Sequence, residues 1–185
     1  MTESLSYIVR PSTPEDAHLS RAASHLSVEA SKTHDVAART TEYTESKIKA
    51  GLAALSFYNE ELVGFACVSP WNDKTLSHSS GVVAEAHRGQ GLFKRMKEVL
   101  FQIGDAQYPN YDIICLTTSE TVWKINQGHG YKPVPLQQLS SDPEFWDGCK
   151  GCLSYEKVNG KDSDSETNPV GTKCCCKGMR LYKSS

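Results

Sequence analysis

Within residues 81–104 an apolar strand ending in Val82-Val83, a turn carrying Gly89 and Gly91, and an amphipathic helix follow one another without a break. Leu92, Met96, Val99, Leu100 and Ile103 recur at i, i+4, i+7, i+8 and i+11, the apolar stripe of a helix packed on a sheet. Gly104 is placed to end that helix. The two glycines let the backbone turn sharply and point N–H groups outward at a helix N-terminus, which makes an anion cradle. A sharp turn also needs glycine for steric reasons alone, so the surroundings have to decide what this one is for. A dinucleotide-binding turn would need a third glycine, and a P-loop would need Gly-Lys-Ser/Thr at the helix start; neither is present.

The segment Arg88-Gly89-Gln90-Gly91-Leu92-Phe93 resembles the acetyl-coenzyme A loop of the GCN5-related N-acetyltransferases, Arg/Gln-x-x-Gly-x-Gly/Ala after an apolar strand. It departs from that pattern at Phe93, where the family has a small residue. The likeness continues in Tyr7-Ile8-Val9-Arg10-Pro11 with Thr13-Pro14-Glu15-Asp16, similar to the family's first strand and helix, and in Gly128-His129-Gly130-Tyr131, similar to its late Gly-Phe strand. It spans roughly residues 5 to 136. The fold it implies is α/β, with a central, mostly antiparallel mixed sheet, a splayed parallel strand pair and flanking helices.

The chain of 185 residues is one domain's worth, enough to bury about 70% of its unfolded surface. A net charge of −2 argues against a nucleic-acid footprint or a polybasic membrane face, so a small-molecule partner is expected. The first residues offer no basic or apolar leader and no run of 18 apolar residues occurs, so a soluble, cytoplasmic protein is the expectation. Seven cysteines in that setting would stay reduced, and five of them lie after residue 148.

In chain order, residues 5–10 read as a strand and Thr13 as an N-cap with Pro14 at N1 and Asp16 at N3, opening a helix that ends near Ala30. Residues 41–51 read as a second helix stopped by Gly51. Residues 52–58 and 62–68 read as a hairpin turning at Asn59-Glu60-Glu61, and residues 75–84 as the next strand. Asp112-Ile113-Ile114-Cys115-Leu116 is continuously apolar after its first residue, as in a central strand with a parallel partner. A helix over 119–127 and a strand over 128–134 follow, the strand confined to an edge or ended early by Pro133 and Pro135. Residues 1–137 form the core on this reading. Residues 138–185 add a Cys-rich insertion, a mobile loop over 158–173 that is too polar to order itself, and a closing strand over 178–183.

The resemblance implies a notch between the strand ending near Val83 and the strand starting at Asp112. There the backbone N–H groups of Gly89, Gln90, Gly91, Leu92 and Phe93 would hold the pyrophosphate of acetyl-CoA, with charge from Arg88 and Lys94. The backbone of Val82 and Val83 would pair with the pantetheine arm. Attack by an amine on the thioester needs a base and an acid for the leaving thiolate. Strand alternation would put Glu85 and His87 on one face as candidate bases, against a plain solvated turn, with His78 an outsider. The family's acid is a Tyr four residues before the Gly-Phe glycine; here that position is Asn126, whose amide can hydrogen-bond but cannot supply a proton. Tyr131 stands where the family's Phe packs in the core.

Cys149-Lys150-Gly151-Cys152 is a Cys-x-x-Cys knuckle, and Cys174-Cys175-Cys176 lies beyond the polar loop. Three readings stay open: a structural zinc held by Cys149, Cys152, Cys174 and Cys176, reduced structural thiols, or a Cys149/Cys152 redox pair. The aromatics of Asp142-Pro143-Glu144-Phe145-Trp146-Asp147 are expected to anchor the insertion on the sheet. The leading functional expectation is an N-acetyltransferase moving an acetyl group from acetyl-CoA to an amine by direct attack. The alternative is a non-catalytic acyl-CoA-binding, metal-sensing or redox protein on the same scaffold.

Overall fold

The computed structural model describes residues 6–160 and 165–183. Strands β1 (Tyr7–Pro11), β2 (Ala53–Tyr58), β3 (Glu61–Pro70), β4 (Thr75–Val83), β5 (Asp112–Thr117), β6 (Lys132–Val134) and β9 (Lys177–Leu181) form one sheet in the order β1-β2-β3-β4-β5-β9-β6. Every neighbouring pair is antiparallel except β4 and β5, so the sheet expected from the sequence is the sheet observed.

Chain entry is fixed by a local device. Thr13 caps a 3-10 turn (Pro14–Leu19) in a capping box with Asp16, and the Asp16 carboxylate also takes two hydrogen bonds at 2.7 Å from the Arg10 guanidinium. Helices α1 (Ser20–Ser31) and α2 (Thr41–Lys49) follow and cover one face of the sheet. Ala53, Leu55, Phe57, Phe65, Cys67 and Val82 point to that face. The other face, with Ala54, Ala66, Val68, Leu76, Ile113 and Cys115, packs on α3 (Leu92–Gln107) through Met96, Val99, Leu100 and Ile103, the stripe read from the sequence.

Gly104 does not end α3, which runs on to Gln107. Its role is close approach: a Cβ there would stand 3.0 Å from Leu76 Cδ2, so the missing side chain lets helix and sheet meet. The strand expected over 128–134 is shortened to β6, because the chain after α4 (Glu120–Gly128) first turns through Gly130 at φ 88°. β6 is the edge strand, as its prolines require.

The segment 158–173 is not the loop its composition suggested. After α5 (Pro143–Asp147), α6 (Tyr155–Asn159) reaches into it, and β7 (Glu166–Thr167) pairs with β8 (Lys173–Cys174). Polar side chains supply the order that apolar burial does not. Asn168, 4% exposed, accepts from the amides of Val170 and Thr172, and Asn159 bonds both the amide and the carbonyl of Lys173. Residues 161–164 of that stretch lie outside the described residues, as do the first five. The closing strand, β9, inserts between β5 and β6, so the C-terminal segment completes the sheet and carries Met179 into the core. Trp146 and Phe145 anchor the insertion against Ile114, Leu136 and Leu139, as expected of them.

Candidate active site

β4 and β5 pair only through Thr75–Asp112, Leu76–Ile113 and Ser77–Ile114. Beyond Ser77 the two strands part, and their unpaired edges open a V whose closed end is at residues 77 and 78. A cleft of about 1160 Å³ fills the V and passes between the sheet, the turn before α3 and the Cys-rich insertion.

One wall is bent by a β-bulge. Between Phe65 and Cys67 on β3, β4 has one residue more, from Val82 to Ser79, and Ser80 adopts φ 56°, an uncommon conformation for a residue with a side chain. The bulge shifts the alternation, so that His78 points towards α3 while Val82 packs under α1. Arg39 holds the bulge from the other side, its Nε donating to Ser80 Oγ at 3.0 Å and its guanidinium 4.9 Å over the ring of Tyr43. Burial pushes the Tyr43 phenol up to about 12.

At the mouth of the V, Gly89 (φ 77°) and Gly91 (φ 71°) both take left-handed backbone, and Gly91 is the N-cap of α3 with no side chain closing the helix end. The first-turn N–H groups therefore face the cleft with the positive end of the helix dipole behind them. Of the residues assigned to the cofactor, Val82, Val83, Arg88, Gly89, Gly91, Leu92, Phe93 and Lys94 line the cleft and Gln90 does not. Phe93, the departure from the family pattern, is accommodated because it lies against Gly81, where no Cβ competes for the space. Arg88 folds back to the Val83 carbonyl at 3.2 Å, and Arg95 reaches away to the Tyr7 carbonyl.

The candidate bases sit differently from expectation. β4 ends at Val83, and Glu85 and His87 belong to a 3-10 turn (Glu85–His87), where strand alternation has no hold. Glu85 is exposed and outside the cleft lining. His87 lies at the rim, its Nδ1 3.1 Å from Tyr7 Oη and its ring 4.9 Å from that of Tyr58. Asn126 is fully buried beneath the cleft, and its Nδ2 donates to Met179 Sδ at 3.8 Å. It does not line the cleft.

Cys149, Cys152, Cys174 and Cys176 all line the insertion side of the cleft. No group of three or more metal-ligating side chains stands ready to hold a metal ion among the described residues. The thiols of Cys149 and Cys176 gather on Cys174, whose sulfur accepts from the Cys176 amide at 3.4 Å. Interaction among these neighbouring thiols pushes that of Cys174 down and holds those of Cys149 and Cys176 well above their ordinary value. The four-cysteine zinc cage expected from spacing is thus not the arrangement found.

What the sequence did not show is a buried polar cluster at the closed end of the V. Lys97 (3% exposed) points its Nζ to His78 Nδ1 at 3.0 Å and to Tyr131 Oη at 3.2 Å, and Tyr131 Oη is 3.3 Å from the same His nitrogen. No carboxylate pairs with Lys97 among the described residues. Burial pushes Lys97 down to about 8, and burial with the nearby Lys97 charge pushes His78 well below the usual histidine range. Tyr131 is in the core as expected, but its hydroxyl is part of this cluster. The available signal was the i, i+4 series Phe93, Lys97, Phe101, which sets the lysine beside the apolar stripe.

A mixed sheet splayed at one parallel pair, with a glycine turn and a bare helix N-terminus at the mouth of the V, defines the GCN5-related N-acetyltransferase fold, and this chain has it. Comparison with solved structures gives the same answer. Diaminobutyrate acetyltransferase EctA from Paenibacillus lautus, solved with L-2,4-diaminobutyric acid and coenzyme A, is 12% identical with a TM-score of 0.64, over 97% of this chain and 96% of that one. Rv2747 from Mycobacterium tuberculosis, solved with CoA and NLQ, is 16% identical with a TM-score of 0.63, over 95% and 98%. Ribosomal-protein-alanine N-acetyltransferase from Brucella melitensis is 13% identical with a TM-score of 0.62, over 95% and 99%. In a longer Pyrococcus horikoshii protein (TM-score 0.51) the match takes in 47% of that chain. No family model matches the sequence, and no curated protein does. No helix among the described residues is long and apolar enough to cross a membrane.

Proposed function

We propose that this protein is an acetyl-CoA-dependent N-acetyltransferase that passes the acetyl group directly to an amine within a ternary complex. The carrying observation is the V between β4 and β5 with the left-handed Gly89 and Gly91 at its mouth. Neighbours in fold solved with coenzyme A support the same ligand here. The pyrophosphate rests on the N–H groups at the start of α3, where the dipole favours negative charge. The pantetheine arm runs along the free edge of β4, pairing with backbone at Val82 and Val83 as an added strand would. Its thioester then lies beside the Ser80 bulge, near the closed end.

The acceptor amine approaches from the α1/α2 side, past Arg39, Tyr43 and Trp71. Holding amine and thioester together makes the attack effectively unimolecular. Arg39 has no ion-pair partner among the described residues, so amines carrying a carboxylate come first in any acceptor panel. The test is free-thiol release from acetyl-CoA with an amine panel. Amine-dependent release with formation of the acetylated amine supports transfer. Coenzyme A binding with no release for any amine turns the reading to a non-catalytic binder.

A further inference from the structure

The family's acid position holds Asn126, which is buried below the cleft and has no proton to give. The cluster at the closed end of the V can take that part. His78 is the first residue of β4 beyond its last pairing with β5. It lines both the main cleft and a small chamber of about 30 Å³ beneath it, shared with Lys97 and Cys115. Its Nδ1 faces the Lys97 ammonium, a group that can only donate, so Nδ1 is the acceptor and the imidazole hydrogen is on Nε2. That Nε2 is buried and has no partner among the described residues, although leaving a buried donor unpaired is costly. A donor left unmet at the end of a ligand cleft points to a partner on the ligand.

We propose that His78 Nε2–H is the acid for the leaving coenzyme A thiolate, with Lys97 supplying the replacement proton through Nδ1. This rests on the acetyltransferase reading above. As the tetrahedral intermediate collapses, the carbon–sulfur bond breaks and its electron pair goes to sulfur. The sulfur takes the hydrogen from Nε2 while Nδ1 takes one from the Lys97 ammonium, so the imidazole changes tautomer and stays neutral. Once coenzyme A has left, Nε2 takes a proton from solvent while Nδ1 returns its hydrogen to Lys97, which restores both groups and balances the proton shed by the acceptor nitrogen. A lysine held by burial near 8 is matched to this work, since a thiol ionises in the same range. Tyr131 is a positioning residue: its hydroxyl accepts from Lys97 and fixes the ammonium beside the imidazole.

The test needs only coenzyme A. Its thiolate is followed by short-wavelength ultraviolet difference absorbance, against coenzyme-free protein, during a pH titration of the complexes of wild type, Lys97→Met and His78→Phe, with affinity measured at a pH where the thiol is protonated. The other groups facing the cluster are Cys115 on β5, His129 after α4 and Lys183 after β9, all retained in the variants. In wild type the bound thiol is expected to ionise at lower pH than free coenzyme A, with a thiolate fraction about tenfold higher at a given pH in that range. Both variants should lose that gain while binding coenzyme A within about threefold of wild type, a split that a merely structural role would not give. Lys97→Met replaces a buried charge by an apolar side chain of similar length and is expected to fold, so the test stands even if His78→Phe does not. A thiol that ionises alike in the wild-type and Lys97→Met complexes overturns the assignment of His78 and Lys97 alone. Failure of wild type to bind coenzyme A overturns this proposal and the acetyltransferase reading together.

Discussion

The ring of Phe93, in the first turn of α3, occupies the space that a side chain on Gly81 of β4 would need: a Cβ there would stand 2.5 Å from Phe93 Cε2. The two residues set the distance between the helix start and the free edge of β4, the two surfaces assigned to the cofactor. Gly81→Ala should push the ring towards the cleft that Phe93 lines, weakening acetyl-CoA binding about tenfold and costing stability on the order of 1 kcal/mol. Adding Phe93→Ala should recover most of the affinity. Calorimetry on the two variants checks this, and equal affinity in both would show that the ring is not the link.

Asp16 couples pH to stability at the chain entry. The Arg10 hydrogen bonds beside it hold its carboxyl well below the usual carboxylate range, so the folded state favours the ionised form. Its contribution is therefore full above the unfolded value near 3.8 and is lost as pH falls towards the folded value. Asp16→Asn should cost about 2 kcal/mol at neutral pH, where a charge-assisted pair and a cap are lost. Urea midpoints of wild type and variant should converge below pH ~4. A constant gap across that range would assign the loss to packing.

Glu85 provides a negative control for the site. It is exposed and outside the cleft lining, so Glu85→Gln should change turnover by no more than about twofold with the best amine of the panel. A drop of roughly 10²-fold would mean that the turn folds inward when substrate binds and restores Glu85 as a base.

The strand, turn and helix around Gly89 and Gly91 were legible because their signals are local: an apolar run, two glycines and a 3.6-residue period. The same local reading placed Thr13 and Asp16 in their capping box and Pro133 at a sheet edge. Features that depend on distant pairing were not legible. Nothing near Lys177 says that β9 will slide between β5 and β6, and nothing in Ser79-Ser80-Gly81 says that Ser80, not its glycine neighbour, takes the left-handed bend. The bulge and the end of β4 at Val83 together moved Glu85 off the face that alternation gave it. Lys97 was hidden for another reason. A lysine next to an apolar stripe ordinarily lies on the solvated side, and the histidine and tyrosine brought to it by β4 and the turn after α4, with the face of Phe101, make its burial tolerable. The order in 165–173 was missed because it comes from Asn159 and Asn168, and composition reads such residues as loop.

Titration calorimetry of acetyl-CoA into wild type, Gly91→Val and Gly171→Val asks whether the left-handed turn before α3 holds the acetyl-CoA pyrophosphate. Gly91 and Gly171 both have positive φ (71° and 82°), and an added Cβ at either would meet nothing within 4 Å. Backbone strain is thus the common effect, and only Gly91 carries N–H groups of the cradle. Wild type and Gly171→Val are expected to bind, with Gly91→Val weaker by tenfold or more, about 1.4 kcal/mol. A folded Gly91→Val protein that binds acetyl-CoA as tightly as wild type would contradict that role of the turn.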